Sequence, residues 1–217
     1  MTGVSWDPRR LNAVTARLPD GVAPGGTRSR ILHSALRLLA EFGYAGTSIR
    51  DIADGAEVNS ATLYTHYASK ERILAELVLL GHRELHQRLQ QALVQADPGP
   101  VAQLSALVRT HAYAHTDFPL LALVANSELH ALSPDQAAPA LMLREQSREL
   151  LLQVLTHGVA QAVFDIDDIG LTAIALGSMG IRIANWFGPD QPYTREQVAE
   201  AQVGFALRIV GASKELR

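Results

Sequence analysis

The chain has 217 residues, a formal net charge of −3 and no cysteine, and 47% of its residues are hydrophobic. The lack of cysteine excludes disulfides and thiolate metal sites. No apolar run is long enough to cross a bilayer, and the opening MTGVSWDPRR lacks the apolar core of a signal peptide. Ala and Leu, which favour helices, are abundant. These features predict a cytoplasmic, helical protein that makes no contact with a membrane.

The charge is distributed unevenly along the chain. Residues 1–70 contain eight Arg or Lys and six Asp or Glu, a net of +2. Residues 71–217 contain eleven and sixteen, a net of −5. A mildly basic segment followed by an acidic remainder is compatible with a nucleic-acid-binding domain joined to a second domain.

The first 26 residues contain three prolines and a Gly-Gly pair, which do not sustain a long helix. By composition, this N-terminal extension is a flexible tail. The alternative is a basic arm whose Arg9, Arg10 and Arg17 reach towards phosphates.

Three helices are predicted between residues 27 and 67. Thr27 is the expected N-cap of the first, which ends at Gly43 because glycine suits a left-handed helix end. Thr47 is the expected cap of a short second helix, and Asn59 that of a short third helix. Apolar residues recur on one face of the first helix: Ile31, Ala35, Leu38, Leu39 and Phe42.

The remaining segments are also helical in pattern, and none shows strand alternation. Ser69 is the expected cap of a long fourth helix that ends near Gln95. Asp167 or Asp168 is the expected cap of a later helix and Thr194 that of the last one, and Ser133 is expected to begin a capping box. The later helices are predicted over residues 101–116, 119–132, 134–164, 169–187 and 195–211. The sequence therefore predicts an all-α protein.

Two short helices joined by a short turn, packed on a preceding helix, form a helix-turn-helix whose second helix enters the major groove. Here that second helix lies within EVNSATLYTHYASKE, residues 57–71. Small hydroxyls and methyls allow it to approach base edges closely. Lys70 and Thr47 stand at predicted helix N-termini, which attract phosphates, and Arg50 follows one turn later.

The segment TRSRILHSALRLLAEFGYAGTSIRDIADGAEVNSATLYTHYASKERILAEL, residues 27–78, resembles the DNA-binding domain of TetR/AcrR-family transcriptional regulators. The resemblance implies an N-terminal three-helix domain, joined by a long helix to an all-helical ligand-binding and dimerisation domain. The implied boundaries are 1–26 for the extension, 27–72 for the DNA-binding domain and 73–217 for the rest. The DNA-contacting positions of the motif fall on Thr47, Arg50, Ser60, Ala61, Thr62, Tyr64, Thr65, His66 and Lys70.

Two positions depart from the family pattern. Glu57 stands where the family often has glycine in the turn, and a left-handed conformation there costs a non-glycine residue on the order of 1 kcal/mol. Ser60 stands where lysine is common. Both changes lower the local positive charge, so we expect weaker non-specific DNA binding and retained recognition.

The family architecture also implies a homodimer formed by the last two helices as a four-helix bundle. Small residues of the 169–187 helix, among them Ala173, Gly177, Gly180 and Ala184, suggest close approach at that interface. The C-terminal segment loosely resembles members that respond to acyl-CoA thioesters or steroid-catabolism intermediates. The implied effector is therefore apolar or acyl-CoA-like.

Five residues are candidates for binding the effector: His111, His115, Asn126, Arg182 and Trp186. The histidine pair lies on an apolar helix face, where hydrogen-bonded core histidines are the alternative. Arg182 is the one charge in an apolar helix and needs an anionic partner, which is either a ligand carboxylate or phosphate or an Asp or Glu of the dimer. The alternative for Asn126 is that it caps a bend in its helix. The alternative for Trp186 is that it only packs against neighbouring side chains.

The sequence thus predicts a homodimeric, ligand-responsive repressor that binds a palindromic DNA operator, and no cofactor. Two alternatives stay open. One is an activator of the same family, which sequence does not separate from a repressor. The other is an all-helical metal enzyme that uses two histidine pairs with i, i+4 spacing, His82 with His86 and His111 with His115. No carboxylate stands at zincin-like spacing to them, which disfavours the enzyme.

Overall fold

The computed structural model describes residues 14–20 and 25–212 of the chain. Within them, nine α helices and one 3-10 turn form, and no strand is present. The expected all-α class is therefore confirmed. The helices are α1 Thr27–Gly46, α2 Ile49–Gly55, α3 Ser60–His66, α4 Lys70–Gln95, α5 Pro100–Asp117, α6 Pro119–Ser127, α7 Pro134–Ala160, α8 Ile169–Trp186 and α9 Arg195–Ile209, and the 3-10 turn is Leu129–Ala131.

Local capping chemistry sets most of the helix starts. Asn59, Ser69 and Asp168 each accept a hydrogen bond from a backbone N–H in the first turn of their helix, as predicted. Thr194 forms the predicted capping box with Gln197. These caps satisfy backbone donors that a helix leaves unpaired at its N-terminus.

Three predicted caps are wrong. The first helix begins with Thr27 itself, and Gly26 precedes it without a side-chain cap. Ser48, which forms a capping box with Asp51, replaces Thr47 as the cap of α2. Ser133 makes no side-chain cap at α7; instead its N–H donates to Glu71 at 2.8 Å.

Two predicted helices are also too long. The sixth ends at Ser127, and a separate 3-10 turn follows it. The seventh ends at Ala160, because Ala162 adopts φ +55 and thereby leaves the helical conformation.

The long helix α4 joins two hydrophobic cores, as the family architecture implies. Its first half packs Leu74 and Leu77 with α1, α2, α3 and α6. Its second half packs Leu89 with α5, α7, α8 and α9. Any displacement of α4 therefore affects both halves of the molecule. No helix in the described part of the chain has the length and apolar character needed to span a membrane.

Residues 14–20 are not a free tail. Val14, Ala16 and Leu18 pack against the first core, and Pro19 is buried. Arg17 lines a groove together with residues of α5, α6 and the segment after α8. The part of the extension that the structure describes therefore rests on the body, whereas the prediction for Arg9 and Arg10 falls outside the described residues.

The small residues of α8 face inward instead of towards a partner. Ala173, Gly180 and Ala184 are buried in the chain's own core. At Gly180, an added Cβ would stand 2.3 Å from Nδ1 of His111, so the glycine makes room for that ring. The expectation that these three residues form a dimer interface is wrong, because all three are buried within the chain and Gly180 lets α8 approach α5.

Candidate DNA-binding surface and effector cavity

The helix α3 presents a small, polar face to solvent. Leu63 is fully buried, and Tyr67 directly after the helix is 6% exposed. All but one of the predicted DNA-contacting residues of this helix are exposed, and Thr62 is half-buried. The exposed ones are Ser60, Ala61, Tyr64, Thr65 and His66. This face has the shape and chemistry that reading a major groove requires.

The end of α3 is held by a buried phenol. The hydroxyl of Tyr67 donates to Glu76 of α4 at 2.9 Å, and Nε of Arg28 in α1 donates to the same hydroxyl at 3.1 Å. Arg28 also pairs with Glu76 at 2.7 Å. Desolvation raises the pKa of Tyr67 to about 12, so the phenol stays protonated and keeps donating. The network fixes α3 relative to α1 and α4.

Two residues predicted to contact phosphate form internal contacts instead. Nζ of Lys70 donates to the carbonyls of Tyr44 at 2.6 Å and Thr47 at 2.7 Å, and it lies 3.9 Å from the centre of the Tyr44 ring. The Thr47 side chain is buried, and its hydroxyl donates to the carbonyls of Leu38 and Gly43. In this structure both residues brace the connection between α1 and α2, while Arg50 is exposed on α2.

The unusual Glu57 has the expected conformation. Its φ is +55, in the left-handed region that favours glycine. The side chain is 88% exposed and lies 4.0 Å from Arg30, so solvent screens this pair strongly.

A cavity of about 410 Å³ lies in the body among α4, α5, α6, α7 and α8. Its walls are mostly apolar, with Leu85, Leu89 and Leu107 among them. Leu141 of α7 and Ile174 of α8 line it and are also exposed at the surface. The volume and the apolar lining with a few polar groups suit a small organic molecule.

The structure brings together some of the predicted effector residues and separates others. His111 and Asn126 line the cavity. His115 lines a smaller void of about 30 Å³ beside it, together with Asn126. Arg182 is exposed on α8 and lines neither space, and Trp186 packs in a separate apolar cluster. The helix of Arg182 has one solvent face, so the arginine needs no buried partner.

The buried histidines are neutral near pH 7. Desolvation, with Arg144 adding to it, lowers the pKa of His82 to about 4. Burial likewise lowers the pKa of His115 to about 4 and that of His111 well below its usual value. The rings of His111 and His115 meet edge to face, 4.5 Å apart. No group of three metal-ligating side chains forms among the described residues.

Arg144 and Arg148 of α7 also line the cavity. Their i, i+4 spacing puts them on one helix face, and such a pattern in the sequence fits either a solvated charged surface or a site for an anionic CoA moiety. Both are exposed, and Arg148 pairs with Glu145. Positive charge beside an apolar cavity can attract an anionic part of a ligand.

Two family models match the chain in the order that the fold shows. Residues 31–77 match the bacterial regulatory proteins of the tetR family, and residues 97–210 match the tetracyclin repressor-like C-terminal domain. The HTH-type transcriptional repressor KstR2 of Mycobacterium tuberculosis is 28% identical over 190 residues, which are 87% of this chain and 94% of the relative.

Solved structures agree with the sequence matches. The ketosteroid transcriptional regulator KstR2 of Mycobacterium tuberculosis superposes with a TM-score of 0.81 at 27% identity, over 91% of this chain and 100% of the other. A tetR-family regulatory protein from Rhodococcus RHA1 superposes with a TM-score of 0.82 at 27% identity, over 88% of this chain and 100% of the other. The TetR-family regulator PfmR of Thermus thermophilus superposes with a TM-score of 0.75 at 35% identity, over 82% of this chain and 97% of the other. With a helix-turn-helix at one end of α4 and a cavity-bearing helical body at the other, this chain belongs to the TetR family of bacterial transcriptional regulators.

Proposed function

We propose that the protein is a homodimeric repressor that binds a palindromic DNA operator and releases it when a small molecule occupies the body. The observation that supports this most is the exposed polar face of α3, held rigidly by Tyr67 and joined through α4 to the cavity. We assign residues 27–72 to DNA binding and residues 73–217 to effector binding and dimerisation.

An exposed apolar surface supports the dimer. On α8, Leu171 is 66% and Ile174 is 60% exposed, and on α9, Phe205 is 45% and Ile209 is 42% exposed. Large apolar side chains exposed on both of the last two helices suit a partner surface. A second copy pairing its own α8 and α9 with them forms a two-fold, four-helix interface. Ile174 also lines the cavity, so the partner would stand close to the effector.

We infer that the effector is apolar with an anionic end, as an acyl-CoA thioester is. The apolar walls suit an acyl chain, and Arg144 and Arg148 at the side of α7 suit phosphate or carboxylate. One matched structure is named a ketosteroid transcriptional regulator, which is compatible with an effector of low polarity.

Effector binding must change operator affinity if this function is correct. The cavity contacts α4 and α6, and both helices also pack against the DNA-binding half. A ligand that spreads these helices changes the separation of the two α3 helices in the dimer. By linkage, operator DNA then weakens effector binding by the same factor.

Selection of bound DNA from a random pool tests the proposal directly. We expect an enriched palindrome whose half-sites lie about one helical turn apart. Thr65→Ala should change the selected bases, whereas Thr116→Ala in the body, a matched substitution, should not. Failure to enrich any palindrome at several salt concentrations would refute the proposed function.

A further inference from the structure

The small void of about 30 Å³ lies against the main cavity. His82 and Asn126 line both spaces, whereas His115 lines the void and not the main cavity. A space of this size holds about one water molecule or one small polar group. The side chains at the junction therefore control which group at the end of a ligand can enter.

His115 offers the void an acceptor. Its Nδ1 is 2.9 Å from the carbonyl oxygen of His111, which can only accept, so Nδ1 carries the proton. In the neutral ring, Nε2 then has a lone pair and no hydrogen. This Nε2 is buried and has no hydrogen-bond partner within the described chain.

His82 and Asn126 add to the same polarity. Nδ2 of Asn126 donates to the carbonyl of Ala122 at 2.8 Å, so its Oδ1 is the acceptor. The His82 side chain is 5% exposed, and its Nε2 is also buried without a partner in the described residues. A hydrogen bond to the backbone of Ala125 partly offsets the lowering of the His82 pKa by burial. Since Nε2 has no partner, Nδ1 makes that bond and carries the proton, and Nε2 is a second acceptor. Buried acceptors without a donor are costly.

We infer that the void binds a hydroxyl group at the buried end of the effector, which donates to Nε2 of His82 or His115. This rests on the proposed function, because it takes the main cavity as the effector site. A carbonyl of equal size has no proton to donate and leaves both nitrogens unpaired. A charged amine would lose its hydration beside neutral rings, and the carboxylate of Glu84, which also lines the void, is already paired with Arg88 at 2.6 Å. The inferred effector is thus an apolar molecule that carries an alcohol.

The test compares 2-octanol with 2-octanone, which share one carbon skeleton. Binding is followed in the intact protein by NMR titration, with 15N signals of the imidazole rings as a second readout. We expect 2-octanol to bind about fivefold more tightly or better, as one added hydrogen bond allows. Only the alcohol should shift the Nε2 signals of His82 and His115.

Variants assign the preference to the void. His115→Leu and His82→Leu should each reduce the preference for the alcohol while binding of 2-octanone persists. His130→Leu, at an exposed position on the 3-10 turn, should keep it. If a variant unfolds, the imidazole 15N signals of the parent protein still show whether the alcohol binds at Nε2 of His82 and His115.

Three results would overturn the inference. They are equal affinity for the two probes, as expected if water alone fills the void, tighter binding of 2-aminooctane than of the alcohol, and no binding of either probe. Operator selection is a separate measurement. A protein that selects no palindrome but prefers the alcohol refutes the repressor proposal alone, whereas one that selects a palindrome without the preference refutes this inference alone.

Discussion

Lys70 donates two charge-assisted hydrogen bonds to the carbonyls of Tyr44 and Thr47, and through them it fixes the connection between α1 and α2. Lys70→Ala should therefore lower the free energy of unfolding by about 2 kcal/mol, the usual loss for hydrogen bonds to a charged group. Urea denaturation measures this.

Arg50→Ala is the matched control, because Arg50 is exposed and makes no hydrogen bond or ion pair with other residues among those described. Its stability should change by less than about 0.5 kcal/mol. If Arg50 contacts a phosphate, the slope of the logarithm of the DNA-binding constant against the logarithm of the salt concentration should become less negative by about 0.9 in Arg50→Ala. Should Lys70→Ala leave stability intact and flatten the salt dependence instead, Lys70 contacts DNA as the sequence predicted.

The helix α6 reaches from the cavity to the DNA-binding half through Glu128, directly after its last residue. Gly43 has φ +68, so α1 is interrupted directly before Tyr44. Glu128 accepts a hydrogen bond from the N–H of Tyr44 at 3.0 Å, and Lys70 bonds the carbonyl of Tyr44. Glu128→Ala should speed hydrogen exchange of the Tyr44 amide about tenfold or more.

Glu128→Gln is the control for that exchange experiment, since its amide oxygen can still accept from Tyr44. It should retain most of the protection, and the amides of α3 should be unaffected in both variants. Unchanged exchange at Tyr44 in Glu128→Ala would show that this carboxylate does not hold the interrupted helix.

Elements that depend on neighbouring residues were predictable from the sequence, and those that depend on distant contacts were not. Asn59 and Thr194 cap through residues three positions away, so their roles follow from local chemistry. The contact of Glu128 with Tyr44 spans 84 positions. Lys70 looked like a phosphate ligand because only the folded chain brings two carbonyls to its amine.

At the scale of the whole molecule, the all-α fold followed from periodicity, whereas the inner and outer faces of α8 did not. That helix is apolar nearly all round, so its pattern does not show which side meets the core. The packing of Gly180 under His111 assigns the small residues to the inside. Leu171 and Ile174 are thereby left on the outside. The cavity likewise forms only where five helices meet.

Burial of neutral histidines makes the stability of the whole molecule sensitive to acid. In the unfolded chain, histidine has a pKa near 6.5; in the fold, burial lowers that of His82 and His115 to about 4. The unfolded state therefore binds more protons between these values, so stability is greatest above about pH 6.5 and falls as the pH drops towards 4. From pH 7 to pH 5, the free energy of unfolding should fall by on the order of 2 kcal/mol for each of the two histidines.

Urea titrations at both pH values measure this fall. Leucine does not titrate, so the free energy of unfolding of His115→Leu should fall less on acidification than that of the parent. The difference should equal the contribution of one histidine, on the order of 2 kcal/mol. His130→Leu removes an exposed histidine and should show the full fall. If His115→Leu and the parent lose equal stability between pH 7 and pH 5, His115 is protonated without unfolding. The closed packing of α4, α5 and α6 around it must then open locally in acid.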